Sequence, residues 1–281
     1  MQKVTSKDGT KIAYDQYGSG QPVIMVTGAL GTRSTAMDNE IGLSLGQHFA
    51  AIDYDRRGRG ESGDTQPYTV EREIEDIEAL IDAVGGHAYL YGMSSGAILA
   101  LEAARALPTK ITKLAMYEPP FIIDDSRPPI PPDYVEQLNA ATAAGRPGDA
   151  VEIFMTKAIL IPDEYVSMMR NPPPSGQHFG GEESAQPPAW SNMEKVAHTL
   201  AYDGLIVRDY LAGKPLPPQR WASVPARTVV IVGGNSEPFF HDGAKALVAD
   251  MPHAQYRILD GQDHAVNPAA LAPVLDEFFR T

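Results

Sequence analysis

The sequence predicts an α/β protein built on a mostly parallel eight-stranded sheet, with helices on both faces and an inserted helical cap. Near both ends of the chain, short apolar runs alternate with helical segments. Such alternation is typical of a parallel sheet whose helices cover both of its faces. In the middle of the chain the alternation gives way to short helical stretches separated by prolines, which predicts an insertion.

Composition limits the functions that the chain can have. With 281 residues and 43% hydrophobic content, it is long enough for one large domain with a sizeable core. Its formal net charge of −13 opposes binding to phosphate backbones, so we expect no nucleic-acid partner. The absence of cysteine excludes disulfides, thiol nucleophiles and thiolate metal sites. The seven histidines form neither HxH nor HExxH, so we expect no metal and no cofactor.

Hydropathy predicts where the protein resides. The opening "MQKVTSKDGT" has no apolar signal region, and no later stretch reaches about eighteen uninterrupted apolar residues. We therefore expect a cytoplasmic protein that does not bind membranes. The sequence leaves a homodimer open.

The first part of the chain predicts a hairpin followed by alternating strands and helices. Residues 2–17 alternate around a "KDGT" turn and predict a β-hairpin. From Thr69, a candidate N-cap, to Gly85, apolar residues recur at helical spacing and acids crowd the first turn, which predicts an amphipathic helix. Apolar runs bounded by turn residues predict buried strands at 22–28, 49–55, 87–92 and 111–117.

The end of the chain returns to this alternation after the insertion. The sequence predicts strands at 226–234 and 255–261 and helices at 240–251 and 268–280. We expect a core domain formed by residues 1–120 and 222–281. Residues 121–221 are the predicted cap, within which the Gly-, Pro- and Ser-rich stretch at 172–188 is a candidate mobile loop.

Two adjacent serines lie in "GMSSG" at residues 92–96, and one of them matches a nucleophile motif. Ser94 occupies the centre of G-x-S-x-G, whereas Ser95 occupies a variable position. The motif follows a predicted strand and opens the helical stretch "GAILALEAARAL". A sharp strand-to-helix turn needs glycines where two backbones pass closely, so Ser94 is the candidate nucleophile.

With this motif and its context, the chain resembles the α/β-hydrolase superfamily over nearly its whole length. The segment "VTGALGT" stands where the superfamily has its His-Gly oxyanion loop, and "YDRRGRGES" looks like the turn that follows the fourth strand. The segment "DGQDHAV" resembles the superfamily's histidine loop, and the cap falls at the usual insertion point. The resemblance implies oxyanion donors at the backbone N–H groups of Ala29 and Ser95, with Thr27 in place of the histidine. It gives Asp55, Arg57 and Ser62 a structural role.

The resemblance makes His264 the candidate base, but it does not decide the acid. In most of the superfamily an aspartate follows the seventh strand; here "GGNSEPFF" offers only Glu237, one position late. Glu118 ends the preceding strand, in the position that some members such as the zearalenone lactonases use. A glutamate at the end of a buried strand is costly unless it is paired, and an imidazole N–H would pair it. We favour Glu118, with Glu237 as the alternative.

The resemblance implies a serine hydrolase that cleaves a small hydrophobic carboxylic ester or lactone through an acyl-enzyme on Ser94, without a cofactor. Candidate substrate contacts are Leu30 and, on the cap, Met155 and Trp190. Methionine and tryptophan at helical spacing equally fit the core of the cap. Two other functions stay open: a cyclase or acyltransferase of secondary metabolism that uses the same triad, and a ligand-binding module with a relict triad.

Overall fold

The structure is a computed structural model that describes residues 1–33, 35–172 and 190–281. One sheet contains the eight strands β1 (Gln2–Thr5), β2 (Lys11–Tyr17), β3 (Pro22–Val26), β4 (Ala50–Tyr54), β5 (Ala88–Met93), β6 (Ile111–Tyr117), β7 (Arg227–Gly233) and β8 (Ala254–Leu259). Their order across the sheet is β1-β2-β4-β3-β5-β6-β7-β8. The β1–β2 and β2–β4 pairs are antiparallel and the rest are parallel. The predicted α/β class and mostly parallel eight-stranded sheet are confirmed.

Ten α-helices are found in the described residues. They are α1 (Ala36–Leu45), α2 (Val70–Ala83), α3 (Ser95–Ala106), α4 (Tyr134–Ala143), α5 (Pro147–Ile153), α6 (Asp163–Arg170), α7 (Trp190–Val196), α8 (Leu200–Val207), α9 (Pro238–Asp250) and α10 (Pro268–Arg280). A π-helical turn at Phe154–Ala158 follows α5, and a 3₁₀ turn at Ala197–Thr199 precedes α8. Within the described ranges, no helix combines the length and apolar character that crossing a membrane requires.

Helices cover both faces of the sheet, as the alternating pattern predicts. On one face, buried residues of α1 and α10 such as Ile41 and Leu275 join a cluster with strand residues. On the other face, α2 and α3 contribute residues such as Ile77 and Ile98 to a second cluster. Thr69 takes the predicted N-cap position of α2, although its side chain makes no capping hydrogen bond.

The chain between β6 and β7 contains five α-helices, and the structure describes no strand within the described part of this region. Helices α4 to α8 occupy this part of the chain, and α8 packs against both α4 and α3. Because α3 begins at Ser95, directly after the candidate nucleophile Ser94, α8 lies close to that serine. The predicted mobile loop at 172–188 lies, apart from Pro172, outside the described residues.

Strand register brings the ends of β5, β6 and β7 to the same edge of the sheet. Met93 at the end of β5 pairs with Tyr117 at the end of β6, and Tyr117 pairs with Ile231 of β7. Ser94 and Glu118 are therefore the first residues beyond two neighbouring parallel strands. The carboxyl ends of parallel strands are where α/β proteins bind their ligands, so this edge holds the candidate site.

Candidate active site

Ser94 lies on a strained turn between β5 and α3. Its backbone φ is +54° and its ψ is −126°, in a region that few residues other than glycine adopt. Both flanking positions require glycine for steric reasons. A Cβ on Gly92 would lie 2.6 Å from the Gly96 carbonyl oxygen, and a Cβ on Gly96 would lie 2.2 Å from the Val26 carbonyl oxygen. The local sequence therefore folds as a nucleophile elbow requires.

His264 and Glu118 are in direct contact. Nδ1 of His264 lies 2.6 Å from Oε2 of Glu118, whose side chain is fully buried. Oε1 of Glu118 accepts a 2.8 Å hydrogen bond from the Gly233 N–H and another from the Ser236 hydroxyl. The last residue of β7 and the loop after it, where most of the superfamily has its acid, here each supply one donor to the acid that follows β6.

Glu237, the alternative acid, lies elsewhere. Its side chain is 59% exposed, and its carboxylate is 3.4 Å from Nε of Arg127 rather than beside an imidazole. Of the two candidates that the sequence leaves open, the structure brings only Glu118 to the histidine.

Two contacts hold His264 and the loop that carries it. The imidazole stacks on Phe240, with ring centroids 4.9 Å apart, and the Tyr117 hydroxyl donates a 2.6 Å hydrogen bond to the carbonyl of Asp263. The side chains of Ser94 and His264 border the same cavity, but no hydrogen bond between them occurs in the described part of the chain. Because a carboxylate occupies Nδ1, Nε2 is the ring nitrogen left for a proton from Ser94.

The predicted oxyanion donors also border this cavity. Within the described ranges, neither the Ala29 N–H nor the Ser95 N–H donates to another protein atom, so both are available to a ligand. A Cβ on Gly28 would lie 3.1 Å from Cβ of Ser94, so the loop approaches the nucleophile closely because this residue is glycine. Thr27 donates a 3.2 Å hydrogen bond to Asp38.

Sequence reasoning missed a buried ionic network beside the oxyanion loop. Asp203 of α8 is 4% exposed, and its carboxylate accepts hydrogen bonds from Arg56 (2.7 Å), Arg59 (2.5 Å) and the Ser95 hydroxyl (2.7 Å). Burial acts to raise the pKa of Asp203, but the two arginines outweigh it and hold that pKa below its ordinary value. An aspartate inside the apolar helix "LAYDGLIV" is the one sequence signal that could have revealed it.

Arg59 links this network to the oxyanion loop. Its guanidinium donates to the carbonyl oxygens of Gly28 at 2.6 Å and of Gly31 at 3.1 Å, the residues on either side of Ala29 and Leu30. The neighbouring Arg57 faces away from the site and pairs with Asp76 at 2.8 Å, as its predicted structural role requires. Arginines usually lie in solvent, but the three in "RRGR" (Arg56, Arg57 and Arg59) are all fully buried here.

The cavity wall differs from the sequence prediction. Leu30, Met155 and Trp190 do not belong to the lining residues that the structure describes. Met155 is 9% exposed and packs in the core, which matches the alternative interpretation of such residues as core. Trp190 is partly buried, packs against that core and donates its indole N–H to Glu194 at 3.1 Å. The apolar part of the lining includes Phe240, which stacks on His264, together with Pro120, Phe154, Ala158, Ile159, Val207, Leu211 and Phe239.

This fold and this site define a member of the α/β hydrolases. The family model described as "Alpha/beta hydrolase family" matches residues 23–277, and the chain belongs to that family. A solved α/β hydrolase from Sphaerobacter thermophilus is 48% identical to this chain. The alignment covers 99% of this chain and 100% of that protein, and the two structures superpose with a TM-score of 0.85.

More distant relatives are similar in part or in fold alone. The enol-lactonase from Burkholderia xenovorans is 17% identical over 100% of both chains, with a TM-score of 0.69, which shows a common fold only. YraK of Bacillus subtilis, an uncharacterized hydrolase, is 28% identical over 115 residues, which are 40% of this chain and 42% of that protein. The chain thus spans about two fifths of the length of the curated relatives that it matches.

Proposed function

We propose that this chain is a serine hydrolase that cleaves a carboxylic ester or lactone through an acyl-enzyme on Ser94. The observation that carries the proposal is the 2.6 Å contact between Glu118 and Nδ1 of His264, whose ring borders the same cavity as Ser94. A serine hydroxyl is a weak nucleophile, and it needs an oriented base to react.

In the proposed reaction, Nε2 of His264 takes the proton of Ser94 as Oγ attacks the carbonyl carbon of the substrate. The backbone N–H groups of Ala29 and Ser95 stabilise the negative charge that develops on the carbonyl oxygen. Glu118 stabilises the imidazolium, which then protonates the leaving alcohol. Water repeats the sequence on the acyl-enzyme and releases the acid.

The lining of the cavity supports a substrate with apolar groups. Phe154, Ile159, Val207 and Leu211, all from the helical region between β6 and β7, border it together with Phe239 of α9. The predicted division into a core (residues 1–120 and 222–281) and a cap (residues 121–221) fits this arrangement and stays a prediction. The name of the Burkholderia protein of similar fold, an enol-lactonase, is in keeping with a lactone or ester substrate.

Covalent labelling tests the nucleophile. We expect a fluorophosphonate probe to modify the purified protein at Ser94, as read from the labelled peptide by mass spectrometry. The Ser94→Ala variant should escape labelling and lose at least about 10³-fold in turnover of an aryl ester, because the oxyanion donors and the binding contacts remain without a nucleophile.

The same experiment separates the alternatives. A ligand-binding module would not react with the probe, and that outcome would remove the proposal. A screen of aryl esters against small and large lactones then identifies the bond that is cleaved. Product analysis with and without a competing alcohol distinguishes a hydrolase, which releases the free acid, from an acyltransferase or cyclase, which does not.

A further inference from the structure

One buried arginine borders the cavity without a close counter-ion. Among the described residues four arginines are less than one tenth exposed: Arg56, Arg57, Arg59 and Arg127. The first three each donate to a carboxylate at 2.8 Å or less. Arg127 instead has only Glu237, at 3.4 Å and without hydrogen-bond geometry, and its Nε is a buried donor with no partner in the described structure.

The guanidinium of Arg127 is nevertheless held in place. It donates to the backbone carbonyls of Ala158 and Ile159, at 3.3 and 3.0 Å, and it stacks over the ring of Phe239 at 4.3 Å. Nη1 has no acceptor in the described ranges. Rigid donors that cost no ordering on binding are the feature that makes arginine selective for planar anions.

Its electrostatic surroundings favour an incoming anion. Burial lowers the pKa of Arg127, and Glu237 offsets only part of that effect. Glu237 is 59% exposed, so solvent screens its charge, and an exposed ion pair is weak. Asp203, the other carboxylate on the cavity wall apart from Glu118 behind His264, is already neutralised by two arginines.

We infer that Arg127 binds a carboxylate of the substrate, and that the preferred substrate is an ester or lactone whose acyl part ends in a carboxylate. The inference rests on the proposed function, since it names the substrate class of the same site. On binding, the substrate carboxylate replaces Glu237 as the partner of the guanidinium, and the apolar wall holds the carbon chain between that carboxylate and the scissile carbonyl.

Matched esters test this inference. The mono-4-nitrophenyl esters of succinate, glutarate and adipate differ from the butanoate, pentanoate and hexanoate esters only by a carboxylate in place of a terminal methyl group. We would measure kcat/KM for each pair and subtract the rate seen with the Ser94→Ala variant. We expect at least one carboxylated ester to exceed its neutral partner, with a ratio that falls as ionic strength rises.

The variants give opposite shifts in that ratio. Arg127→Met should lower it by roughly 10- to 100-fold, the effect of a lost hydrogen bond to a charged group, whereas Arg127→Lys should restore part of it. Glu237→Gln should raise the ratio several-fold because it removes the competing carboxylate, and this exposed position carries little risk to folding. Arg208→Met removes an exposed positive charge of the same helical region and should leave the ratio unchanged.

A binding measurement tests this inference independently of the proposed function. If no ester is hydrolysed, the proposed function fails, but calorimetric titration of the Ser94→Ala protein still tests Arg127. Monomethyl glutarate should then bind more tightly than methyl pentanoate, and Ser94→Ala/Arg127→Met should lose that preference. An equal loss for both ester series in Arg127→Met, or no preference for the carboxylated compounds at all, would overturn the inference.

Discussion

Two buried carboxylates flank the cavity, and they differ in the basic side chains that they contact. Glu118 is fully buried against one imidazole, that of His264. Asp203 is 4% exposed and is held by two guanidinium groups and the hydroxyl of Ser95. An imidazole can take up and release a proton during a reaction, whereas a guanidinium stays protonated. Burial of a carboxylate therefore says little about its role until the chemistry of its partner is known.

The same difference extends to what each carboxylate positions. Glu118 orients a side chain that would move a proton. Asp203 instead joins α8 to the elbow through Ser95 and to the oxyanion loop through Arg59, which donates to Gly28 and Gly31. In the proposed reaction, the contact of Glu118 with His264 serves proton transfer, and the contacts of Asp203 hold backbone N–H groups where negative charge would develop.

The largest effect on turnover is expected at Glu118. Glu118→Gln keeps the shape of the side chain, but an amide can hold the imidazole in the wrong tautomer and cannot stabilise the imidazolium, so we expect kcat on a neutral aryl ester to fall by about 10³- to 10⁴-fold. Circular dichroism should show a folded protein. Glu237→Gln, the matched variant of the alternative acid, should lose far less. If Glu237→Gln lost most of its kcat while Glu118→Gln kept it, the acid would instead be the residue in the loop after β7.

The largest effect on stability is expected at Asp203. Asp203→Asn leaves Arg59 buried without its carboxylate and leaves Arg56 with Glu73 alone. The loss of one partner of a buried ion pair costs about 3–5 kcal/mol of the free energy of unfolding. Urea denaturation at pH 7 measures this loss. Asp209→Asn, which changes an aspartate of the same helical region that is 83% exposed, is the control and should stay within about 0.5 kcal/mol.

This stability difference should depend on pH in one direction. Because the pKa of Asp203 is lowered in the folded protein, its contribution is complete above the ordinary aspartate value of 3.8 and is lost as pH falls through the lower folded value. The gap between the parent protein and Asp203→Asn should therefore be constant from pH 7 to about pH 5 and narrow below pH 4. A gap that stayed constant down to pH 3 would mean that Asp203 is not the group that the arginines stabilise.

The sequence predicted the sheet and the elbow well because both depend on local patterns. Buried parallel strands appear as apolar runs, and the glycines at 92 and 96 are required by contacts between adjacent elements. Glu118 could be predicted as a candidate acid because its position at the end of a buried strand is itself a local feature. The pairing of Glu118 with His264 spans 146 residues, and only the fold brings the two together.

The Asp203 network and the cavity wall could not be predicted in the same way. Asp203 lies 147 residues from Arg56 in the sequence, and no local rule shows that an insertion helix reaches the arginine turn. For Met155 and Trp190, apolar character at helical spacing fits a cavity wall and a packed core equally well. The structure places Met155 in the core and packs the partly buried Trp190 against it. Arg127 lies in a proline-rich segment, where nothing in the sequence indicates burial.

The smallest effect is expected at Ser95, whose hydroxyl contacts Asp203 and whose backbone N–H is a proposed oxyanion donor. Ser95→Ala removes one donor from Asp203 but leaves its two arginines and the Ser95 backbone N–H in place. We expect a loss of about 1 kcal/mol in the free energy of unfolding and less than about tenfold in kcat, because a single hydrogen bond is lost while the oxyanion donor remains. Urea denaturation and aryl-ester turnover, measured beside Ser94→Ala, check both numbers. A loss of turnover comparable to that of Ser94→Ala would contradict the assignment of Ser94 as the nucleophile. A loss of stability comparable to that of Asp203→Asn would mean that the hydroxyl, rather than the arginines, keeps Asp203 in place.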